Sequence, residues 1–594
     1  MRTGAIAGVL SWGAPLPSDR RLIKILDFLG VPHTNLDLSC KTFDTSEGQL
    51  GGLRPIASAS TIRHALSAGA PVTDVVRKLF RQAPAAFIYG VTPERLSAVE
   101  LNSLTDGAGV PAWVGPPPGS CYRVSSGYRD VCGTFSGLAW RPTSWKERVP
   151  AFERDAENLE TLIAVEAWPV FARRRRGVSE IFLLCGQDVA ELDEVVRENF
   201  DVHSRFIELF PHMMFLRHAF PSAGWRPGHS HGSLIIDDPP LRTRYGFLNF
   251  RRLVQAMDDV GFSSDIALIP WNFRRTQPSV AALINERRDR LGVCIHGCDH
   301  TRSEFGASDR AHLAKLTTIG IERMEAHRRD HRVDYERIMV FPQGVFSESA
   351  MEILKSFDFL AAVNTEVVPS HNTSRAGAVA LADVLAPAIT RYNAFPLFTR
   401  RKCRDSLVNF AADIFVGKPC LLVAHHTDFA DGGQALIDLI ATIRAVAPEL
   451  KWSTLGTALR TTHLWRREAD GSQWIRMFAS EISLTGESAT ERHVLVLKSE
   501  TDRQRVGSVL VDGRQAEFGW DGDLLAIPIT LRQGQSASVR VVYHNPFAGA
   551  DARLGARYRF RASVRRCLCD IRDNYVDVGR QGLRRFWRTA DSRY

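Results

Sequence analysis

Along the chain, the spacing of apolar positions changes twice. Up to about residue 220, short apolar runs such as Ala85–Tyr89 (AAFIY) and Glu180–Cys185 (EIFLLC) read as buried strands. Segments of helical period lie between them, as in Arg20–Leu29 and Val189–Asn199, and the Pro/Gly-rich break at 116–119 marks a loop. This alternation predicts an N-terminal α/β open-sheet domain. From 222 to about 465 strand-like runs recur at Ser233–Ile236, Ile266–Ile269, Gly292–Ile295, Ile338–Phe341, Leu360–Val363 and Leu421–Ala424. Helical periodicity fills the gaps, as in Leu248–Val260 and Asp309–Arg328, so a (β/α) barrel or a doubly wound sheet is expected. From about 470 to 547 the period becomes two: Arg492–Lys498, Val506–Val511, Leu524–Ile529 and Ser536–Val542 are divided by Asp-Gly turns, which predicts a small β-sandwich. The multidomain α/β division is therefore 1–221, 222–469, 470–548 and a tail, 549–594.

Length and composition agree with several packed domains: 594 residues, 44% hydrophobic and 24% charged. No run of about 20 apolar residues appears, which predicts no transmembrane helix. The opening GAIAGVLSWGAPLP is short, broken by glycines and lacks a small-x-small cleavage site. It reads as a first buried strand, which favours a cytoplasmic location. The ten cysteines form neither a disulfide framework nor a zinc knuckle, as suits a reduced compartment.

The net charge of +9 is concentrated. Residues 551–594 hold twelve Arg and five Asp, a net +7, so the rest of the chain is near neutral and no nucleic-acid partner is expected. The tail has apolar residues at Tyr558, Val564, Leu568 and Ile571 among its arginines, the pattern of a basic amphipathic helix. Such helices make peripheral contacts with anionic membranes or bind acidic polymers, or else dock on the body with a solvated Arg face.

Candidate chemistry sits at strand ends. Ser233–Pro240 (SLIIDDPP) ends an apolar strand in two adjacent carboxylates, Asp237 and Asp238. At the C-terminal end of a barrel strand both would stand in the mouth, where like charges are held only if a cation or a proton transfer uses them. A helix N-cap is the plainer reading of the same two residues. Gly292–Thr301 (GVCIHGCDHT) ends another strand with His296 and His300 four residues apart, able to share a metal, and with Cys298 and Asp299 as further donors between them. One carboxylate and two imidazoles with open positions suit Zn²⁺, and Fe²⁺ or Co²⁺ also fit. His425 and His426 end the Leu421–Ala424 strand, and alternation lets one of them face the mouth. His426 is the expected one, with Val423 and Ala424 taken as the buried strand face. Trp271 and Asn272 follow a strand end and could stack on and hydrogen-bond a sugar. Tyr245 and Asp428 complete the candidate substrate contacts. His229 and His231 precede their strand and read as structural.

These motifs resemble the polysaccharide deacetylases (carbohydrate esterase family 4, the NodB homology fold) over about 225–465. The family's TFDDGP reads IIDDPP here, its H-S/T-x-x-H reads His296-Gly297-Cys298-Asp299-His300, and looser counterparts are Val340–Gly344 and Leu422–His426. The resemblance implies that Asp237 is the catalytic base, that Asp238, His296 and His300 are the metal ligands, and that a histidine of the last motif protonates the leaving amine. It implies a metal-dependent hydrolase that deacetylates a glycan. Three departures stand out: Pro239 for glycine, Gly297 for Ser/Thr, and Val340 for the arginine that orients the base. No nearby residue obviously replaces that arginine, although Arg337 lies one turn of sequence upstream. A non-catalytic glycan-binding protein keeping the barrel, and a glycoside hydrolase using the two carboxylates, are the alternative readings.

Overall fold

The computed structural model describes residues 5–40, 52–105, 107, 109–117, 119–142, 148–153, 159–186, 188–197, 199–370, 378–486, 492–549 and 553–579. The end of the basic tail, 580–594, lies outside the described residues. The chain divides into two compact units, one built mainly from Met1–Glu194 and Phe200–Arg226, the other mainly from Pro227–Trp465 and Gln473–Tyr594.

The first unit is organised by a nine-stranded mixed sheet. His33–Asp37, Ile6–Ser11, Leu53–Ser58, Ala85–Val91 and Ser179–Cys185 pair in parallel in that order. Trp168–Arg176, Glu160–Val165 and Tyr122–Val124 then extend the sheet in antiparallel fashion. Ala85–Val91 is buried at every position, as its unbroken apolar run requires of a strand covered on both faces. Val189–Asn199 does not form the expected helix. Apart from one turn, Glu194 N–H to Glu191 O, backbone groups of the segment bond outside it, Ala190 N–H to Glu208 O and Val196 N–H to Val379 O, so tertiary partners outweigh its helical spacing.

The second unit contains an eight-stranded, all-parallel barrel. Its strands are β1 (His231–Asp237), β2 (Ser264–Leu268), β3 (Leu291–His296), β4 (Glu336–Val340), β5 (Ala361–Asn364), β6 (Leu397–Thr399), β7 (Arg401–Lys402) and β8 (Cys420–Ala424). Around the barrel they run β6-β5-β4-β3-β2-β1-β8-β7. The two edge strands, β6 and β7, are separated in the chain by one residue, Arg400. The backbone itself therefore crosses the seam that hydrogen bonds leave open. Six of these strands match the sequence pattern; β6 and β7 are too short to show one. Beyond the barrel, Gln473–Met477, Arg492–Ser499 and Leu524–Leu531 form one sheet, and Glu481–Thr485, Ser536–Tyr543 and Val506–Val511 a second. A shared core that includes Val496, Val509, Ile527 and Val541 makes them a β-sandwich.

Register decides which side chains point into the barrel. Ile235 lies in the interior cluster with Ala267, Cys294, Val340, Val363, Phe398 and Leu421. Paired residues share a face, and Ile235 pairs with Asp265 on β2 and with Val423 on β8. The interior face of β1 thus runs through Ser233 and Ile235 to Asp237, and that of β8 through Leu421 and Val423 to His425.

At the other end of the interior, Asp265 is fully buried. Its Oδ2 accepts from Ser233 Oγ at 3.0 Å and from Leu455 N at 2.6 Å, tying a helix start to the barrel floor. Its Oδ1 has no partner, and a Cβ at the neighbouring Gly292 would come within 2.0 Å of it, so glycine is required there. Burial pushes this carboxyl from 3.8 up to about 7, against the two hydrogen bonds that favour its charge. A carboxyl raised by folding contributes stability that is full below its unfolded pKa and lost as pH rises through the folded value. Wild-type stability should therefore fall by about 4 kcal/mol as pH rises from about 4 to about 7, with no further change from this group above that. Asp265→Asn, which cannot ionise, should flatten that fall. Urea unfolding of both proteins near pH 4 and near pH 7 checks this, and parallel curves would refute it.

Candidate active site

Asp237 and Asp238 end β1, and the chain turns sharply between them. Asp238 has φ +80°, a left-handed conformation that Asp tolerates better than most residues. The turn sends the two carboxylates to different partners.

Asp238 faces the histidines. Its Oδ1 lies 3.4 Å from His296 Nε2 and 3.1 Å from His300 Nε2. His296 Nδ1 is 2.9 Å from Val340 O and donates to it, which leaves Nε2 with a lone pair when the ring is neutral. One carboxylate oxygen and two imidazole nitrogens thus converge, that of His296 as an acceptor, with all three ligand atoms within 4.8 Å of one another. No protein hydrogen bond satisfies the buried Asp238 Oδ1. Only a proton or a cation can satisfy such a set, and the donor atoms fit a divalent metal. Without one, a proton on His296 is favoured. Burial pushes the His296 imidazole down, but the charges of Asp237 and Asp238 outweigh it and raise its pKa above 6.5. Burial likewise acts to raise the Asp238 carboxyl, and the two histidines hold it well below the usual range.

The loop that carries His300 is organised by a residue absent from the sequence-based candidates. Glu304 is buried, and its carboxylate accepts from the backbone N–H groups of Cys298, Asp299, His300 and Thr301 at 2.7–3.2 Å. Gly297 has φ +63°, and a Cβ there would stand 2.1 Å from Glu304 Oε1. Glycine in the place of the family's Ser/Thr follows from this close approach. Cys298 and Asp299 turn away from the imidazoles: Arg323 Nη1 meets Asp299 Oδ1 at 2.5 Å and lies 3.6 Å from Cys298 Sγ.

Asp237 faces the barrel interior and meets Arg400. Arg400 Nη1 and Nη2 donate to Oδ1 and Oδ2, each at 2.7 Å, with both side chains almost fully buried. Burial alone would raise the Asp237 carboxyl. The guanidinium, with His296 and His425, more than offsets it and holds the group below the ordinary carboxylate value. Arg400 thus supplies this carboxylate with a guanidinium, while the Val340 side chain belongs to the apolar interior. No local signal could have identified it, since Arg400 is 163 positions from its partner and sits between two strands too short to recognise.

The two histidines after β8 separate as the register dictates. His425 Nε2 is 4.0 Å from Asp237 Oδ2, on the exposed side of the mouth. Asp428 accepts from its backbone N–H at 2.7 Å, so that carboxylate holds the turn. His426, the expected mouth residue, is buried on the opposite side of the strand. Its Nε2 lies 3.7 Å from Asp573 and 3.9 Å from Asp577, and its ring stacks on Phe247.

Asp573 and Asp577 belong to the basic tail, which is docked. The helix Ala556–Ile571 and its π-helical extension Arg572–Val576 run from the His300 loop, where Tyr558 Oη is 3.3 Å from Thr301 Oγ1, to the His426 turn. There Asn574 Oδ1 accepts from Gly246 N at 2.9 Å and Asp573 accepts from Tyr245 Oη. Tyr245 is thus buried under this helix. His426, Asp573 and Asp577 also have metal-ligand geometry, but Arg572 and Tyr245 already engage both oxygens of Asp573, so the cluster is an ion-paired clasp. Trp271 stands at the rim with the Arg275 guanidinium 5.3 Å from its ring centre, and Arg275 in turn pairs with Asp570. Asn272 is buried, accepting from Arg275 at 3.1 Å.

Comparison of the sequence with family models and with curated proteins finds no match. Among solved structures, the chain is similar to the carbohydrate deacetylase Agd3 at 10% identity, covering 91% of this chain and 98% of that one with a TM-score of 0.47. It is similar to a putative polysaccharide deacetylase from Mycobacterium smegmatis at 18% identity, covering 39% and 90% with a TM-score of 0.26. A third is the Bc1960 peptidoglycan N-acetylglucosamine deacetylase, at 12% identity, 40% and 91% coverage and a TM-score of 0.27.

Proposed function

We propose that the barrel is a metal-dependent hydrolase that removes N-acetyl or O-acetyl groups from a glycan. The observation that carries this reading is one mouth holding the triad Asp238, His296 and His300 beside an ionised carboxylate clamped by Arg400. A divalent cation on the triad, best matched by Zn²⁺ with Fe²⁺ or Co²⁺ as alternatives, would supply a Lewis acid for the acyl carbonyl. Asp237 is the general base: Arg400 keeps it charged and fixes its plane, and the free lone pairs of its oxygens take the proton of the attacking water. The same guanidinium lowers the basicity of the carboxylate, so slow turnover on simple acetylated sugars is expected. His425 Nε2, on the opposite side of Asp237, delivers the proton to the departing amine or alkoxide. Trp271 and Arg275 are the proposed sugar contacts at the rim, and Asn272, buried beneath them, positions Arg275. The adjacent carboxylates do not flank a shared space as those of a glycosidase do, since Asp238 is turned to the imidazoles. The proposed barrel domain is 222–469, with 470–548 as the sandwich.

His300→Ala should lose most bound divalent metal while keeping the fold, as metal analysis and circular dichroism of the purified protein would read. Full metal content in that variant would remove it from the ligand set.

Asp237→Asn should retain metal and lower acetate release by roughly 10²–10⁴, the scale of a missing general base. Arg400→Met should retain metal, lose activity similarly and cost about 3–5 kcal/mol of stability, because it leaves a buried carboxylate unpaired. Equal acetate release by wild type and Asp237→Asn would show that Asp237 is not the base, and none by either would favour a glycan-binding protein without turnover.

Metal affinity should depend on pH with a definite sign. Binding needs neutral imidazoles, and the raised His296 pKa makes protons compete at a pH above 6.5, so affinity should fall as pH drops through that raised value. Asp237→Asn removes one of the charges that raise it and should move the midpoint to lower pH. Metal titrations across the neutral range test this, and an unchanged midpoint would show that Asp237 does not act on His296.

A further inference from the structure

The C-terminal helix presents two unlike faces. Its inner face holds the barrel rim through Tyr558, Asp570, Asp573 and Asn574, with Ala562 and Arg566 buried beneath it. Its outer face carries Phe560, Val564, Leu568, Ile571 and Tyr575, which are 71%, 43%, 61%, 52% and 74% exposed. The spacing i, i+4, i+8, i+11, i+15 places all five on one stripe. Arg561, Arg565 and Arg572 run alongside and share a shallow groove with Phe560, Val564 and Leu568.

We propose that this outer face docks on the surface of an anionic lipid bilayer. An exposed stripe of two aromatic and three aliphatic side chains gains free energy only by leaving water, and the arginines beside it attract acidic headgroups at the same depth. Charge selects this occupant. The carboxylates of Asp570, Asp573 and Asp577 are turned to the barrel, in contact with Arg275, Tyr245 and His426. Asp573 also pairs with Arg572, but none of the three carboxylates is paired with Arg561 or Arg565, which carry the charge toward an acidic surface. None could pair with the arginines of a second copy either, so self-association through this face would set Arg against Arg. An acidic polysaccharide would satisfy the arginines but offers no apolar phase for the stripe. No described helix is long and apolar enough to cross a membrane, so the contact is peripheral. The docking helix lies against the His300 loop, and membrane contact therefore brings the barrel mouth to the lipid surface. This inference stands on the helix alone and does not depend on the reaction proposed above.

Co-sedimentation of the full chain with phosphatidylcholine vesicles, with and without phosphatidylglycerol, tests it. The wild type should bind the mixed vesicles and not the neutral ones. Arg561→Gln and Arg565→Gln should each weaken binding roughly fivefold. Phe560→Ser combined with Leu568→Ser should abolish binding although no charge is altered. Circular dichroism and thermal unfolding should show that each variant remains folded. No binding to either vesicle, or equal binding to both, would overturn the proposal. So would full binding by the serine double variant, the behaviour of a purely electrostatic surface for an acidic polymer. A concentration-dependent dimer that the double variant abolishes would assign the face to a second copy.

Discussion

Arg400 does two things at one point in the chain. It is the residue by which the backbone crosses from β6 to β7 and so completes the barrel, and its guanidinium lies flat against the Asp237 carboxylate. A buried arginine and a buried carboxylate each carry a large desolvation cost, which only their two parallel hydrogen bonds offset. The pair therefore makes barrel closure and Asp237 orientation a single condition. Asp237 is bound to the seam, and Asp238, turned the other way by its left-handed backbone, is left to the imidazoles.

Local features were legible in the sequence. Apolar runs ending in DD and in HxxxH mark two barrel strands, because a strand that terminates in several metal-type side chains has little other reason to do so. Features set by distant pairing were not legible. β6 and β7 span three and two residues, below the length at which periodicity means anything. The choice between His425 and His426 depends on β8 pairing with β1, since Val423 opposite Ile235 carries the interior face to His425. Apolar content alone places Val423 and Ala424 equally inside, and the expectation of His426 rested on that. Val189–Asn199 fails for a related reason, as its apolar spacing is real but its backbone finds partners far along the chain.

The departures from the deacetylase motifs have a common physical form. Val340 lacks the expected charge, and Arg400 brings one to the same carboxylate from across the seam. Gly297 lacks the expected hydroxyl, and Glu304 occupies the space where a side chain would begin, collecting the loop's N–H groups instead. In both cases the contact is supplied from another element of this chain than the one the motif would name. A short motif records the group at its usual address, so supply from another element is indistinguishable from absence until the partner is seen.

Support from a distant element also bears on the tail. His426, next to the residue that faces the mouth, is held by Asp573 and Asp577, and Tyr245 by Asp573, so the helix that lies along the rim is tied to the turn that carries His425. Gly246 allows this approach, because a Cβ there would stand 2.3 Å from His426 Nδ1. Asp573 is held charged despite burial, its carboxyl brought down to about 2 by His426, Arg572 and Tyr245. A charge so well compensated makes the clasp insensitive to moderate acidity. Among the described residues of the tail, Asp570, Asp573 and Asp577 are turned to the barrel, which leaves the charges of Arg561 and Arg565 to act outward.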